Sequence, residues 1–223
     1  HGGNAADAAI AASATIAVVV PMSCGIGGEL FVIYWDAKTQ KQYGLNASGR
    51  SPAKLTRQVF AEKGLSQIPD EGILSWSVPG CVSGWETLRA RFGKKPLAEL
   101  LAAAIEAAEQ GAPVPEVIAS YWQAAEPALK ATPDAATTLL IDGQRAPRLG
   151  EIMKLPRLAA TMRLIAKDGI GAFYKGPIAK TIVAFSEKNG GYFSLPDFAD
   201  HPHGWTVPLS TKYPRHDLLV LPP

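Results

Sequence analysis

Residues 2–52 read GGNAADAAIAASATIAVVVPMSCGIGGELFVIYWDAKTQKQYGLNASGRSP, and this stretch decides the fold. Asn4 is a good helix N-cap, because its side-chain oxygen can accept an unpaired backbone N–H of the first turn. Asp7 then lies at the positive end of the helix dipole. Residues 8–20 carry no charge. We therefore predict a core helix that is buried on most sides and ends at Pro21.

A glycine loop, Gly25-Ile26-Gly27-Gly28, follows the helix. Nucleotide-binding loops run in the order strand, glycines, helix, so that the helix N-terminus meets the phosphate. Here the order is helix, glycines, strand, which argues against a nucleotide site. We expect these glycines to provide positive φ angles and close backbone approach. Whether the loop also brings N–H groups to a substrate stays open.

Two β-forming segments come next, residues 29–35 and 41–46, joined by a polar loop at 36–40. The first is apolar almost without alternation, which predicts burial on both faces and hence a layered sheet protein. Farther along, residues 79–188 are predicted to form a mainly helical lobe between sheet-forming ends. Its helices are expected at 81–92, 96–110, 115–130, 155–166 and 177–188.

A helix is also predicted after the N-cap candidate Thr56, with Gly64 as its stop, and a short turn of helix at residues 195–198. A short strand is expected at residues 139–141, before the tight-turn signal Asp142-Gly143. Two more strands are expected at 207–211 and 218–221. No clear domain boundary is visible in the pattern.

Composition restricts the function classes. The chain has 223 residues and a formal net charge of +2, so neither nucleic acid nor an anionic membrane is an expected partner. Cys24 and Cys81 could form a disulfide, but composition favours two buried free thiols. The chain starts at His1 and ends at Pro223 directly after a predicted strand, and we interpret both ends as cut.

Most candidate catalytic groups have a simpler structural interpretation. His201 and His203 flank Pro202 and could bind a metal, but no third ligand lies at a useful spacing, so no metal site is predicted. Glu106 and Glu109 lie one helical turn apart, which is typical of a solvated face rather than an acid–base pair.

The polar segment Asn46-Ala47-Ser48-Gly49-Arg50 closes the second predicted strand. It places a fixed cation and small hydrogen-bonding groups at a sheet edge, and arginine suits bidentate capture of a carboxylate. The alternative is an ordinary surface arginine, which composition alone favours.

Five motifs occur in a fixed order along the whole chain: Gly2-Gly3-Asn4-Ala5-Ala6-Asp7-Ala8-Ala9, Gly25-Ile26-Gly27-Gly28, Ser77-Val78-Pro79-Gly80, Phe173-Tyr174-Lys175-Gly176 and Leu221-Pro222-Pro223. Together they resemble the large-subunit portion of the gamma-glutamyltransferase (glutathione hydrolase) family. The resemblance implies an α/β N-terminal-nucleophile hydrolase fold, a four-layer α-β-β-α sandwich. Residues 1–223 would be the large-subunit part of one domain, without its small subunit.

The resemblance also implies a mechanism. In this family a precursor cuts itself, and the new N-terminal threonine of the small subunit is the nucleophile, with its own α-amino group as base. That threonine would lie beyond residue 223, so no catalytic residue is expected in this chain. The implied partners are the small subunit and a γ-glutamyl donor such as glutathione, with no cofactor. The resemblance leaves a periplasmic, secreted or cytoplasmic location and further oligomers open.

One departure from the family pattern concerns the donor site. Glutathione-cleaving members carry an Asp-x-Arg-Glu motif whose arginine grips the donor's α-carboxylate. An ungapped alignment places Asn46 at the aspartate, Ser48 at the arginine and Gly49 at the glutamate, with Arg50 two residues later. Glu29 likewise replaces a usual glycine. Asn46, Ser48 and Arg50 are therefore the candidate substrate-binding residues.

The ordered motifs favour a γ-glutamyltransferase-like hydrolase, in which Arg50 would reach the same carboxylate. The departure at Ser48 motivates a second hypothesis, an acylase for another amide of glutaryl type. The third hypothesis is a non-catalytic family member.

Overall fold

The computed structural model describes residues 2–201 and 204–222, so His1, Pro202, His203 and Pro223 lie outside the described residues. His203 of the candidate His201-x-His203 pair and the last proline of the final motif therefore lie outside the described residues. The chain divides into two compact units. Unit 1 contains the residues up to Gly25 and Arg89–Gly169, and unit 2 contains Ile26–Leu88 and the residues from Ile170 on. A single domain over 1–223 stays a prediction.

The elements of the described residues, in chain order, have the following bounds. The helices are α1 (Ala5–Val19), α2 (Arg57–Glu62), α3 (Cys81–Phe92), α4 (Leu97–Gln110), α5 (Glu116–Lys130), α6 (Pro133–Leu139), α7 (Pro156–Asp168), α8 (Gly171–Tyr174), α9 (Pro177–Lys188) and α10 (Leu195–Ala199). The strands are β1 (Leu30–Asp36), β2 (Lys41–Ala47), β3 (Ala112–Pro113), β4 (Ile152–Met153), β5 (Gly204–Thr206), β6 (Leu209–Tyr213) and β7 (His216–Val220).

Helix α1 begins with a reciprocal cap. The side chain of Asn4 accepts the backbone N–H of Asp7 at 3.1 Å, and the Asp7 carboxylate accepts the backbone N–H of Asn4 at 2.9 Å. The helix packs against α4 within unit 1 through one stripe of buried residues, Ala6, Ile10, Ala14, Ala17 and Val18. The predicted cap is confirmed.

The predicted burial of α1 on most sides is wrong, because Ala8, Ala9, Ala12 and Ile16 are exposed. Alanine presents so little apolar area that a helix rich in it can leave one face uncovered at small cost.

Helix α4 is the centre of unit 1, since it packs against both α1 and α7. Its buried face consists of Leu97, Leu100, Leu101, Ala104, Ile105 and Ala108. The Asp7 carboxylate also accepts the backbone N–H of Lys94 at 3.0 Å and that of Lys95 at 3.2 Å. Burial alone would raise the pKa of Asp7, but its backbone hydrogen bonds outweigh burial and lower it.

The predicted strand at residues 139–141 is wrong. Leu139 ends helix α6, which the sequence analysis missed, and Ile141 forms only an isolated bridge with Arg145. The predicted turn between them is present, with φ of 52° at Asp142 and 68° at Gly143. Pro133 at the first turn of α6 is the start signal that was overlooked.

Unit 2 contains an antiparallel sheet in the order β1-β2-β5. The predicted hairpin of β1 and β2 is confirmed, with Leu30 opposite Ala47 and Asp36 opposite Lys41. The prediction that both faces of β1 are buried is wrong. Phe31, Ile33 and Trp35 on one face are 53%, 44% and 50% exposed. A strand can be apolar on both faces while one of them is exposed, so composition does not distinguish a covered strand face from an uncovered one.

Two smaller corrections concern the C-terminal strands and the cysteines. Strand β5 was missed, and the final pair, β6 and β7, is offset by a few residues from the prediction. Both cysteines are free, and Cys81 is buried as predicted, but Cys24 is exposed because it lies in the loop after α1. Within residues 2–201 and 204–222, no helix has the length and apolar character that crossing a membrane requires.

Candidate substrate-binding site

The candidate site begins where strand β2 ends. Asn46 pairs with Phe31 on one side and Gly204 on the other, and its side-chain oxygen accepts the backbone N–H of Ser48 at 2.9 Å. This local hydrogen bond turns the chain out of the sheet. Asn46 and Ser48 are half-buried, and Arg50 is exposed.

Two glycines hold the end of β2 against the segment that leads into α3. A Cβ atom on Gly49 would lie 1.8 Å from the carbonyl oxygen of Val78, and one on Gly80 would lie 1.9 Å from that of Ala47. The Val78 N–H donates to the carbonyl of Arg50 at 2.9 Å. The two backbones are therefore in direct contact, which only residues without a Cβ permit.

The glycine loop contributes through its backbone. The carbonyl of Gly28 accepts the N–H groups of Gly80 and Cys81, both at 2.9 Å, and so satisfies unpaired donors at the start of α3. The expected close backbone approach is wrong at Gly27, where a Cβ atom would meet no atom within 4 Å, and it stays a prediction at Gly25 and Gly28. The expected positive φ is wrong, since none of the glycines in the loop has one.

Helix α3 also packs closely on the sheet. A Cβ atom on Gly84 would lie 2.6 Å from the Leu30 side chain and 2.9 Å from that of Ala47. The N-terminal turn of α3 is therefore held directly against the end of β2.

The hydroxyl of Tyr174 makes two hydrogen bonds at the start of α3. Its hydroxyl donates to the carbonyl of Pro79 at 2.7 Å and accepts the backbone N–H of Ser83 at 3.0 Å. Burial raises the pKa of Tyr174 to about 12, against the opposing hydrogen bond from Ser83. The ring of His201 stacks on that of Tyr174, with centroids 5.5 Å apart.

The three candidate residues thus share one segment but differ in what they contact. Asn46 and Ser48 are joined by their hydrogen bond, whereas Arg50 makes no ion pair with any residue in the described part of the chain. Beside them, the hydroxyl of Ser77 lies 3.5 Å from the Glu29 carboxylate, at the outer limit of a hydrogen bond. That Asn46, Ser48 and Arg50 bind substrate stays a prediction.

The sequence analysis missed the role of Tyr174. It identified the Phe173-Tyr174-Lys175-Gly176 motif only as a family signature. A tyrosine in an otherwise apolar turn is a signal, because a buried phenol normally needs a hydrogen-bond partner.

The remaining candidate groups from the sequence are the two glutamates of α4 and a metal site. Glu106 is exposed as predicted, while Glu109 is half-buried and receives two hydrogen bonds from Arg163, which lower its pKa. Among residues 2–201 and 204–222, no three histidine, cysteine, aspartate or glutamate side chains are grouped as a metal site would require.

A family comparison covers the whole chain. The model described as Gamma-glutamyltranspeptidase matches residues 1–223. The chain belongs to the gamma-glutamyltranspeptidase family. The predicted family is therefore confirmed.

Two curated relatives of this gamma-glutamyltranspeptidase family segment match it over its full length. It is 37% identical to the glutathione hydrolase-like YwrD proenzyme of Bacillus subtilis and covers 42% of that protein. It is 35% identical to the oxamate amidohydrolase proenzyme of Klebsiella pneumoniae and covers 43% of it. The chain thus spans about two fifths of the length of these relatives.

Solved structures also match the entire chain, among them a gamma-glutamyltranspeptidase and a cephalosporin acylase. Helicobacter pylori gamma-glutamyltranspeptidase superposes with a TM-score of 0.94 at 28% identity, and 64% of its chain is covered. Cephalosporin acylase from Bacillus halodurans superposes with a TM-score of 0.92 at 38% identity, and 42% of its chain is covered. The predicted N-terminal-nucleophile hydrolase fold is confirmed.

Proposed function

We propose that this chain is the large-subunit portion of a self-cleaving enzyme that hydrolyses or transfers the acyl group of γ-glutamyl amides such as glutathione. The family match and the proenzyme names of its relatives support this proposal. The nucleophile is a threonine on the small subunit, downstream of residue 223.

The reaction divides into two acyl transfers. The threonine hydroxyl attacks the amide carbonyl while its α-amino group takes the hydroxyl proton. That proton passes to the leaving amine as the C–N bond breaks, which leaves an ester on threonine. Water then releases the free acid, or an acceptor amine takes the acyl group, and the threonine hydroxyl regains its proton.

The contribution of this chain is to hold the donor. One observation carries the assignment: the backbone of Arg50 is fixed by the Val78 N–H at 2.9 Å, while its guanidinium is exposed and has no ion-pair partner in the described chain. An unpaired guanidinium on a backbone that is held in place suits bidentate binding of the donor's carboxylate. Because Asn46 Oδ1 is occupied by the Ser48 N–H, the Asn46 NH₂ group and the Ser48 hydroxyl remain to bind polar atoms of the donor.

We further propose that the small subunit, made from the same precursor, covers the open face of β1. Phe31, Ile33 and Trp35 form a continuous apolar row there. The hairpin of β6 and β7 is also largely exposed, with Leu209 and Leu218 each more than half exposed. Exposed apolar surfaces of this kind are typical of a subunit interface.

A second candidate function is hydrolysis of another amide, of glutaryl type. Ser48 stands where glutathione-cleaving members carry their arginine, and proteins named as a cephalosporin acylase and an oxamate amidohydrolase match the chain as well as the glutathione hydrolases do. A glutaryl group has the carboxylate of a γ-glutamyl group but lacks its amino group. Arg50 could therefore serve either donor.

The test uses the full precursor that contains this chain. Mass mapping should find self-cleavage and a new N-terminal threonine. Kinetics would then compare γ-glutamyl, glutaryl and pentanoyl anilides, where pentanoyl has a methyl group in place of the glutaryl carboxylate. A preference for γ-glutamyl supports the first function, and a preference for glutaryl supports the second.

Arg50→Ala isolates the carboxylate contact. It should lower kcat/KM about 100-fold for both carboxylate-bearing donors, equivalent to about 3 kcal/mol, and leave the pentanoyl anilide unchanged. Arg157→Ala, which removes an exposed arginine of α7, is the matched control. Equal loss on all three anilides would exclude a role for Arg50 in carboxylate binding. An uncleaved precursor without activity would instead support a non-catalytic family member.

A further inference from the structure

A cavity of about 620 Å³ lies beside the Arg50 segment in unit 2. Ser51, the residue after Arg50, forms part of its wall, and so does Ser77, the residue before Val78. Because the Val78 N–H donates to the Arg50 carbonyl, the cavity starts at the backbone contact that fixes the candidate site. Helix α2 and the loop that follows it supply most of the remaining wall.

The wall is mainly apolar. The large apolar side chains that line it are Leu55, Phe60, Leu65, Ile68, Leu74 and Trp76. Leu55 is buried, whereas Ile68 is 60% exposed, which places Ile68 at the open side. Pockets of this size and character bind small molecules with an apolar body.

Trp76, which lines the cavity, packs against two aromatic side chains. Its ring stacks on Phe185, with centroids 6.0 Å apart and planes at 16°, and on Phe193 at 6.3 Å and 29°. Gly191 lets the neighbouring residue Ile73 pack closely, since a Cβ there would lie 2.7 Å from the Ile73 side chain. Trp76 thus packs against two aromatic rings while it also lines the cavity.

Among the described lining residues, Arg57 is the one that carries a charge. It is exposed and forms no ion pair within the described chain. The other polar groups of the wall are serine hydroxyls and the amide of Gln67. An apolar wall with one unpaired guanidinium complements a ligand that has an apolar body and one carboxylate.

We infer that this cavity binds the amine side of the amide substrate, and that the amine is a bulky apolar group bearing a carboxylate. The inference rests on the proposed function, in which Arg50 holds the carboxylate of the acyl side. A glutaryl or γ-glutamyl chain is far too small to fill 620 Å³, so the cavity suits the larger half of the substrate.

Equilibrium binding tests the cavity without requiring catalysis. The processed full-length protein is titrated with 6-aminonaphthalene-2-carboxylate and with 2-aminonaphthalene in a calorimeter. Ala61→Trp adds an indole to the cavity wall from the exposed side of α2 and should weaken binding of both amines at least 10-fold. Ala53→Trp makes the same change at an exposed position outside the wall and should leave binding unchanged.

Arg57→Gln tests the charge. It should weaken binding of the carboxylate-bearing amine about 10-fold and leave 2-aminonaphthalene unaffected, whereas Lys54→Gln, at an exposed lysine outside the cavity, should change neither. Absence of binding in the wild type, or binding that Ala61→Trp does not weaken, overturns the inference.

Kinetic measurements distinguish selectivity for the amine half of the substrate from selectivity for the acyl half. With a fixed glutaryl acyl group, the preference for the carboxynaphthylamide over the methylamide should fall at least 10-fold in Ala61→Trp. If selectivity for the acyl group falls instead, the cavity is an acyl pocket and the inference is wrong. Failure of the proposed function would appear as a precursor inactive on every amide. Failure of this inference would appear as an active enzyme whose amine preference does not depend on Ala61.

Discussion

Replacing Tyr174 by phenylalanine removes one hydroxyl that joins two distant segments of unit 2. That hydroxyl donates to the Pro79 carbonyl at 2.7 Å and accepts the Ser83 N–H at 3.0 Å. Ser83 lies in the first turn of α3, where the backbone N–H groups have no partner inside the helix. The phenol therefore caps the Ser83 N–H, while the Gly28 carbonyl accepts those of Gly80 and Cys81.

The cost follows from the burial of these groups. Each lost hydrogen bond contributes about 1 kcal/mol net, and a buried N–H left without an acceptor costs about 1–3 kcal/mol. Ser83 is only 1% exposed, so water cannot easily replace the hydroxyl. Because phenylalanine retains the ring contacts, we expect Tyr174→Phe to lower the free energy of unfolding by about 2–4 kcal/mol.

Urea denaturation of the full processed protein, followed by circular dichroism, measures this loss. Tyr121→Phe removes the hydroxyl of a tyrosine of α5 that is 55% exposed, and it should change the free energy of unfolding by less than about 0.5 kcal/mol. If Tyr174→Phe were as mild as Tyr121→Phe, the hydroxyl bridge would not contribute to stability and the reasoning would be refuted.

The raised pKa of Tyr174 gives the same prediction a pH dependence. The folded-state pKa, about 12, is above the ordinary value of 10.0, so the stabilisation is fully present below pH 10 and is lost as the pH rises to 12. A two-unit shift corresponds to about 3 kcal/mol. The stability advantage of the wild type over Tyr174→Phe should therefore shrink by about that amount between pH 9 and pH 12.

Two further stability predictions concern a glycine and a carboxylate. Gly49→Ala should lower the free energy of unfolding by about 3 kcal/mol or more, because its Cβ would lie 1.8 Å from the Val78 carbonyl oxygen. Gly27→Ala, with no atom within 4 Å of its Cβ, should change it by less than about 0.5 kcal/mol, and equal urea midpoints for the two variants would contradict the close approach. Asp7→Asn should cost about 1–3 kcal/mol at pH 7, because the Asp7 carboxylate accepts backbone N–H groups including that of Lys94. The folded-state pKa of Asp7 is below 3.8, so this stabilisation is present above pH 4 and lost as the pH falls through the folded-state value. A loss at pH 3 as large as that at pH 7 would be inconsistent with a charge effect.

The helices could be predicted because their signals are local. The cap of α1 involves Asn4 and Asp7, three residues apart, and Gly111 with φ of 95° marks the end of α4. The β1–β2 hairpin is similarly local, since its loop is short and its register follows from the turn. Where the local pattern was ambiguous, as around Leu139, the prediction was wrong.

The candidate site could be predicted only as a list of residues. The polar end of β2 and the ordered motifs are visible in the chain, and they identify Asn46, Ser48 and Arg50 as candidates. The contacts that these motifs make with one another are not visible in the sequence. The exposure of Phe31, Ile33 and Trp35 could not be predicted either, since the sequence shows that a side chain is apolar but not whether it is covered.

By itself the sequence determined the long helices, the first hairpin and the family, because caps, turns and ordered motifs depend on residues that are close along the chain. Only the tertiary structure decided that Tyr174 bonds to Pro79, 95 residues away, and that Gly49 lies against Val78. Such contacts depend on how whole segments pack, and no short-range periodicity records them. That packing, rather than the list of residues, fixes the backbone of Arg50 against Val78 and places the next residue, Ser51, in the wall of a cavity.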